Sequence, residues 1–262
     1  MQEKSLSPSS PEVPFEEFGL IGHPLGHSFS AKFFAEKFGR ENIAASYQNF
    51  DIERADTLRE IAIAHPRLKG VNVTIPHKQA VMSLLDDISD EAKAIGAVNV
   101  IRISRRADGS PSFKGYNSDI IGFCRSIHPL LLPIHRKALV LGTGGASKAV
   151  IHGLRKLGIV PQYVSRNAKE GILTYEDLTP SVMKEHLVIV NCSPVGMSPH
   201  IDECPKLPYE LLTPNHLLYD LVYNPTETLF LKKGAEMRAI TKNGLEMLHL
   251  QALASWDFWH EQ

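Results

Sequence analysis

Residues 138–148, Ala-Leu-Val-Leu-Gly-Thr-Gly-Gly-Ala-Ser-Lys, decide how the rest of the chain is read. Four apolar residues make a short buried strand, a glycine cluster follows at once, and a helical pattern then runs to Leu157. Strand, glycine turn and helix in that order form a dinucleotide-binding signal. Gly142, Gly144 and Gly145, with Thr143 and Ala146 between and after them, let the backbone approach a pyrophosphate closely. The helix start adds unpaired N–H groups and a partial positive charge. Ser147 stands where the usual G-x-G-x-x-G spacing has its third glycine.

The tip of the following strand discriminates between cofactors. An NAD site carries Asp or Glu there, about 20 residues on, to hold the ribose 2′-hydroxyl. Here the strand over 163–165 ends in Ser165, Arg166 and Asn167, with Lys169 beyond and no acid at the tip. A guanidinium grips a 2′-phosphate through paired hydrogen bonds, whereas a carboxylate repels it. The pattern therefore favours NADP.

Working outward, strands are expected at 187–190 and 217–220, and a long helix at 244–259, whose aromatic content suits packing on a second domain. Upstream, the first 115 or so residues alternate strand and helix, the pattern of a mainly parallel sheet with crossover helices. Strands are expected at 18–22, 46–50, 70–75 and 98–103, and helices at 30–38 and 55–65. Pro76 suits the first turn of a helix, where its missing N–H costs nothing. Asp108-Gly109 marks a turn from which 113–116 pairs back, and Ser118-Asp119 opens a helix to about Ile127.

The chain has 262 residues, 43% hydrophobic and 22% charged, with a net charge of −1. It carries no basic excess of the kind a nucleic-acid binder shows, and no apolar run of membrane-spanning length. Cys124, Cys192 and Cys204 form no CxxC and suit reduced thiols in a cytoplasmic protein. His23 and His27 are spaced like helical metal ligands but lie in a loop broken by Gly and Pro, so no metal is expected. Residues 1–14, rich in Ser and Pro, read as a flexible tail.

Three polar clusters in the first half exceed what packing needs. Ser28 and Ser30 stand just before or at a helix start, where hydroxyls and free N–H groups can bind a carboxylate. Thr74 and Lys78 follow the 70–75 strand, at the sheet edge where open α/β folds bind ligands. Asn99 begins a strand, and Asp119 lies in a first helical turn, where the helix dipole favours its anion and a lysine could pair with it.

These segments together resemble the shikimate dehydrogenase family, from about Phe18 to the chain end. The resemblance rests on Ser28-x-Ser30, Asn72-Val-Thr74-x-Pro-x-Lys78, Gly96-Ala-Val-Asn99, Asn117-Ser-Asp119, Gly142 to Ala146, Asn191-Cys-Ser-Pro-Val-Gly-Met197, Asp220-Leu-Val-Tyr223 and Gly244-Leu-x-Met-Leu-x-x-Gln251. It implies NADP-dependent interconversion of shikimate and 3-dehydroshikimate, in aromatic amino-acid biosynthesis. Lys78 takes the catalytic lysine position beside Asp119. Ser28, Ser30 and Tyr223 would hold the substrate carboxylate; Thr74, Asn99, Asp119 and Gln251 would hold ring hydroxyls. Leu221 and the backbone of Gly244 would flank the nicotinamide. The implied architecture is α/β: a substrate domain of residues 15–117 plus 244–262, a Rossmann-like NADP domain of 118–243, and the last helix returning to the first domain. A monomer or homodimer with a small-molecule substrate is expected.

The sequence departs from the family in three places. Ala31 replaces the frequent Pro after the second serine, Ser165-Arg166-Asn167 replaces Asn-Arg-Thr, and the stretch 166–187 is short for a full helix and strand. That crossover is expected to shrink towards a loop, leaving the adenosine side more open. Two alternatives keep most of these residues: a quinate or dual-specificity dehydrogenase, and a non-catalytic sensor of shikimate or nucleotide.

Overall fold

The computed structural model describes residues 15–26 and 29–261, so the expectations for the tail and for Ser28 and His27 fall outside the described residues. The first sheet gathers β1 (Glu16–Gly22), β2 (Ala45–Asp51), β3 (Leu68–Val73), β4 (Asp87–Ile88), β5 (Val100–Arg105) and β6 (Pro111–Tyr116). Their spatial order is β2-β1-β3-β5-β6-β4. Connecting helices are α1 (Phe29–Glu41), α2 (Leu58–Ala64) and α3 (Asp90–Ile95). β1 pairs in parallel with β2 and β3, while β5 runs antiparallel to both β3 and β6. The pair-back of β6 follows from its turn: Asp108 Oδ1 accepts from Ser110 N at 2.9 Å, and Gly109 takes φ 81°. The expectation for Pro76 fails. Residues 75–79 form turns, and only a 3₁₀ helix, Ala80–Leu84, follows.

After α4 (Asp119–Ile127) comes the second sheet: β7 (Lys137–Leu141), α5 (Gly145–Lys156), β8 (Val160–Val164), α6 (Pro180–Glu185), β9 (Val188–Asn191), β10 (Leu217–Asp220), α7 (Leu229–Glu236), β11 (Ile240–Lys242) and α8 (Leu245–Trp259). Its strands are all parallel, in the order β11-β10-β9-β7-β8. Strand alternation places Ala138, Val140, Val188, Val190, Leu217 and Tyr219 in one core layer. Leu139, Leu141, Ile189 and Leu218 face the other. The short stretch after Arg166 supplies the six-residue α6 and a 3₁₀ turn, and β8 is left as the sheet edge. Leucines and valines on both faces are what a doubly covered parallel sheet requires.

Two helices tie the sheets together. α8 starts in the core of the second sheet through Met247 and ends in that of the first through Ala252 and Trp259. Trp259 stacks on Phe18 with ring centroids 4.7 Å apart. α4 crosses α8 at Gly122, where a side-chain carbon would come within 2.5 Å of Met247 O. No side chain fits at that crossing. Among the described residues no helix is long and apolar enough to cross a membrane.

Candidate active site

The parallel strands of both sheets point their C-terminal ends into one cleft of about 630 Å³. Lys78 is delivered there by the turn after β3. His77, 3% exposed, anchors that turn by donating Nε2–H to Ile52 O at 2.6 Å. Val98 N donates to Lys78 O at 2.8 Å, so the backbone on both sides of the lysine is fixed.

Asp119 is the first residue of α4 and is 7% exposed. Lys78 Nζ donates to Asp119 Oδ2 at 2.6 Å, and Asn99 Nδ2 donates to Oδ1 at 2.8 Å. Both carboxylate oxygens thus have donors, as a nearly buried anion requires. Ser118 N donates to Asn99 Oδ1 at 2.7 Å, which orients the amide.

The glycine loop closes the cleft from the second sheet. Gly142 adopts φ 100°, a left-handed conformation that favours glycine. Gly144 caps α5 without a side-chain hydrogen bond, which leaves the first N–H groups of that helix available to an anion. A carbon added to Gly145 would sit 3.9 Å from Lys78 Cδ, so the loop and the lysine are immediate neighbours. Ser147, at the missing third glycine, is fully buried and turns inward, donating to Gly144 O at 2.7 Å. A dinucleotide pyrophosphate fits this loop, since the Gly144 corner is open and no side chain caps the helix.

Thr74, Asn99, Lys78, Asp119, Tyr223 and Gln251 all line the cleft, as do Ser30, Ala146, Leu221 and Gly244. Tyr223 is 37% exposed, and its ring lies 6.1 Å from that of Phe29. Gly244 N donates to Val222 O at 3.1 Å, locking the start of α8 against the turn that carries Leu221. Ser165, Arg166, Asn167 and Lys169 do not line this cleft. They sit at the exposed tip of β8, joined to the glycine loop through the bond from Gly142 N to Val164 O at 2.9 Å. Arg166 is exposed and enters no ion pair with a described residue.

Several residues had no assigned role in the sequence reading. Asn72 in the cleft wall, the buried Ser118 and Ser255 and the half-buried Tyr47 are linked by polar contacts. At the mouth, Asp51 accepts from His23 Nδ1 at 2.7 Å and from Leu25 N at 3.0 Å. Asn72 and Ser118 fall inside quoted motifs, but Tyr47 and Ser255 offer no local signal.

A parallel sheet with a glycine loop at one strand end, facing a lysine–carboxylate pair carried by the turn after β3 and the start of α4, is the layout of a dinucleotide-dependent oxidoreductase. Comparison with known proteins narrows the class. The chain belongs to the shikimate dehydrogenase family. Residues 20–101 match the family described as shikimate dehydrogenase substrate binding domain. It is 38% identical to the shikimate dehydrogenase (NADP(+)) of Clostridium beijerinckii, over 94% of this chain and 92% of that one. It is 34% identical to that of Desulforamulus reducens, over 92% and 88%. Among solved structures, the Thermus thermophilus shikimate 5-dehydrogenase in complex with NADP(H) and shikimate superposes with a TM-score of 0.81. That match has 29% identity and covers 95% of this chain and 94% of the other. A quinate dehydrogenase from Corynebacterium glutamicum in complex with NAD gives 0.82 at 26% identity, covering 95% and 94%.

Proposed function

We propose that the chain catalyses the reversible NADP-dependent reduction of 3-dehydroshikimate to shikimate, in aromatic amino-acid biosynthesis. The observation that carries this reading is the Lys78–Asp119 pair set against the glycine loop. NADP, when bound, supplies the hydride chemistry. The residues of the chain supply position and a proton. As the substrate ketone is reduced, its oxygen gains negative charge and needs a donor. Lys78 Nζ gives that proton, and Asp119 Oδ2, 2.6 Å away, keeps the ammonium aimed.

Thr74, Asn99, Asp119 and Gln251 receive the ring hydroxyls, while Ser28, Ser30 and Tyr223 hold the carboxylate. Gly142, Thr143, Gly144, Gly145 and Ala146 cradle the pyrophosphate. Ser165, Arg166, Asn167 and Lys169 take the 2′-phosphate, and Leu221 and Gly244 border the nicotinamide. The substrate lobe comprises residues 15–117 with 244–262, and the nucleotide lobe residues 118–243. The working form is a cytoplasmic monomer or homodimer without nucleic-acid or membrane partners. Free thiols support that compartment: burial pushes Cys124 up to about 11 and Cys192 well above the usual thiol range, so both stay protonated.

Spectrophotometric assay of NADP reduction with shikimate, run beside quinate and beside NAD, tests the proposal. Turnover fastest with shikimate and NADP is expected. Preference for quinate, or tight binding of shikimate without turnover, would replace it with one of the two alternatives above.

A further inference from the structure

From Asn72, which lines the cleft, a run of buried and half-buried polar side chains crosses an otherwise aromatic and aliphatic layer. The mechanism gives Tyr47, Asn72, Ser118 and Ser255 no task. Their meeting point is Ser255 on α8, fully buried and one turn beyond Gln251. Ser255 Oγ donates to Gln251 O at 2.8 Å, accepts from Asn72 Nδ2 at 2.8 Å, and lies 3.2 Å from Ser118 Oγ.

One arm runs from there toward the first turn of α1. The Tyr47 hydroxyl donates to Asn72 Oδ1 at 2.9 Å and also meets the side chain of Ser30. The other arm runs toward the ammonium. Asn99 Nδ2 donates to Ser118 Oγ at 3.0 Å and to Asp119 Oδ1 at 2.8 Å, and Asp119 ends on Lys78. Ser118 Oγ has one proton, which it gives to Ser255 Oγ at 3.2 Å, closing the junction, or to Gln251 Oε1 at 3.3 Å.

We propose that Ser255 is a positioning residue, which holds both ends of the substrate site in one register and thereby sets affinity for the substrate but not for the nucleotide. This rests on the reading of the cleft as a shikimate site. A hydroxyl is needed because the position must donate and accept at once; a methyl does neither. Without it, Asn72 Nδ2 keeps only its 3.4 Å contact with Asn99 O, and the two arms lose their junction. Linked buried hydrogen bonds reinforce one another, so a break at the junction is felt at Gln251 and Asn99, which touch substrate. None of the four hydrogen-bonds to the glycine loop, so that loop's geometry is kept.

The test is steady-state kinetics on Ser255→Ala, Tyr47→Phe and the double variant. Ser255→Ala should raise KM for shikimate about ten-fold, the size of one hydrogen bond, with KM for NADP and kcat within about two-fold. Tyr47→Phe, which trims the far arm, should show the same split. The double variant should lose less than the product of the singles, because both act through Asn72. A role in stability alone would lower the melting temperature and leave KM for shikimate unchanged, and that outcome overturns the proposal, as does a strictly multiplicative double variant. A wild-type enzyme that fails to oxidise shikimate would instead sink the reading of the cleft.

Discussion

Removing the ammonium from the cleft has two separable consequences. In Lys78→Ala the proton donor is gone, and general acid–base assistance is worth about 10²–10⁴ in rate. kcat should fall by at least that factor while KM for shikimate moves little, since the hydroxyl and carboxylate partners remain. The second consequence is structural. The paired side chains of Lys78 and Asp119 are 16% and 10% exposed, so losing one leaves a nearly buried charge without its counter-ion. Breaking such a pair costs about 3–5 kcal/mol. Asp119 keeps its bond from Asn99, so the lower half of that range is expected. Chemical denaturation measures this term, and single-turnover kinetics measures the first. Adding Asp119→Asn to Lys78→Ala should recover part of the stability and none of the rate. Near-normal kcat in Lys78→Ala would refute the proton-donor assignment. Full loss of stability persisting in the double variant would refute the charge argument.

Arg166→Ala should raise KM for NADP about ten- to a hundred-fold, the worth of charge-assisted hydrogen bonds to a phosphate; an equal effect on NAD would remove Arg166 from that role. Burial pushes the Asp220 carboxyl up from 3.8 to about 6, against the donations of Thr228, Val222 N and Asn191. A raised folded value means the folded chain holds the proton more tightly, so this contribution is present below about pH 4 and lost as pH rises through about 6. It amounts to about 3 kcal/mol, and Asp220→Asn should flatten that part of the stability–pH curve in calorimetry relative to the wild type. Trp259→Ala should lower unfolding free energy by about 3–5 kcal/mol, because Trp259 is 5% exposed against Phe18 and Phe34.

The parts legible in the sequence were those with a strong local pattern. The continuous apolar run of β7 and the glycines after it identify a strand, a turn and a helix without any tertiary information. Asp108-Gly109 likewise announces the hairpin of β5 and β6. Elements too short to show a period escaped: β11 has three residues, and α6 has six. Pro76 misled because the same fixed φ that suits a helix start also suits a turn. In the cleft, residues inside dense polar motifs could be picked out, whereas Ser255 could not. Its partners Asn72 and Ser118 lie 183 and 137 positions away, and no pattern in α8 points to either.

The crossing of α4 and α8 at Gly122 also decides what any hinge motion would do to the chemistry. The lobes meet at this crossing and again where Glu91 of α3 pairs with Lys156 of α5; Asp119 stands one turn from the crossing, while Arg166 follows β8, the edge strand of the second sheet. A rotation about the crossing would move Arg166 further than Asp119, so the proposed phosphate contact would shift more than the proposed proton donor.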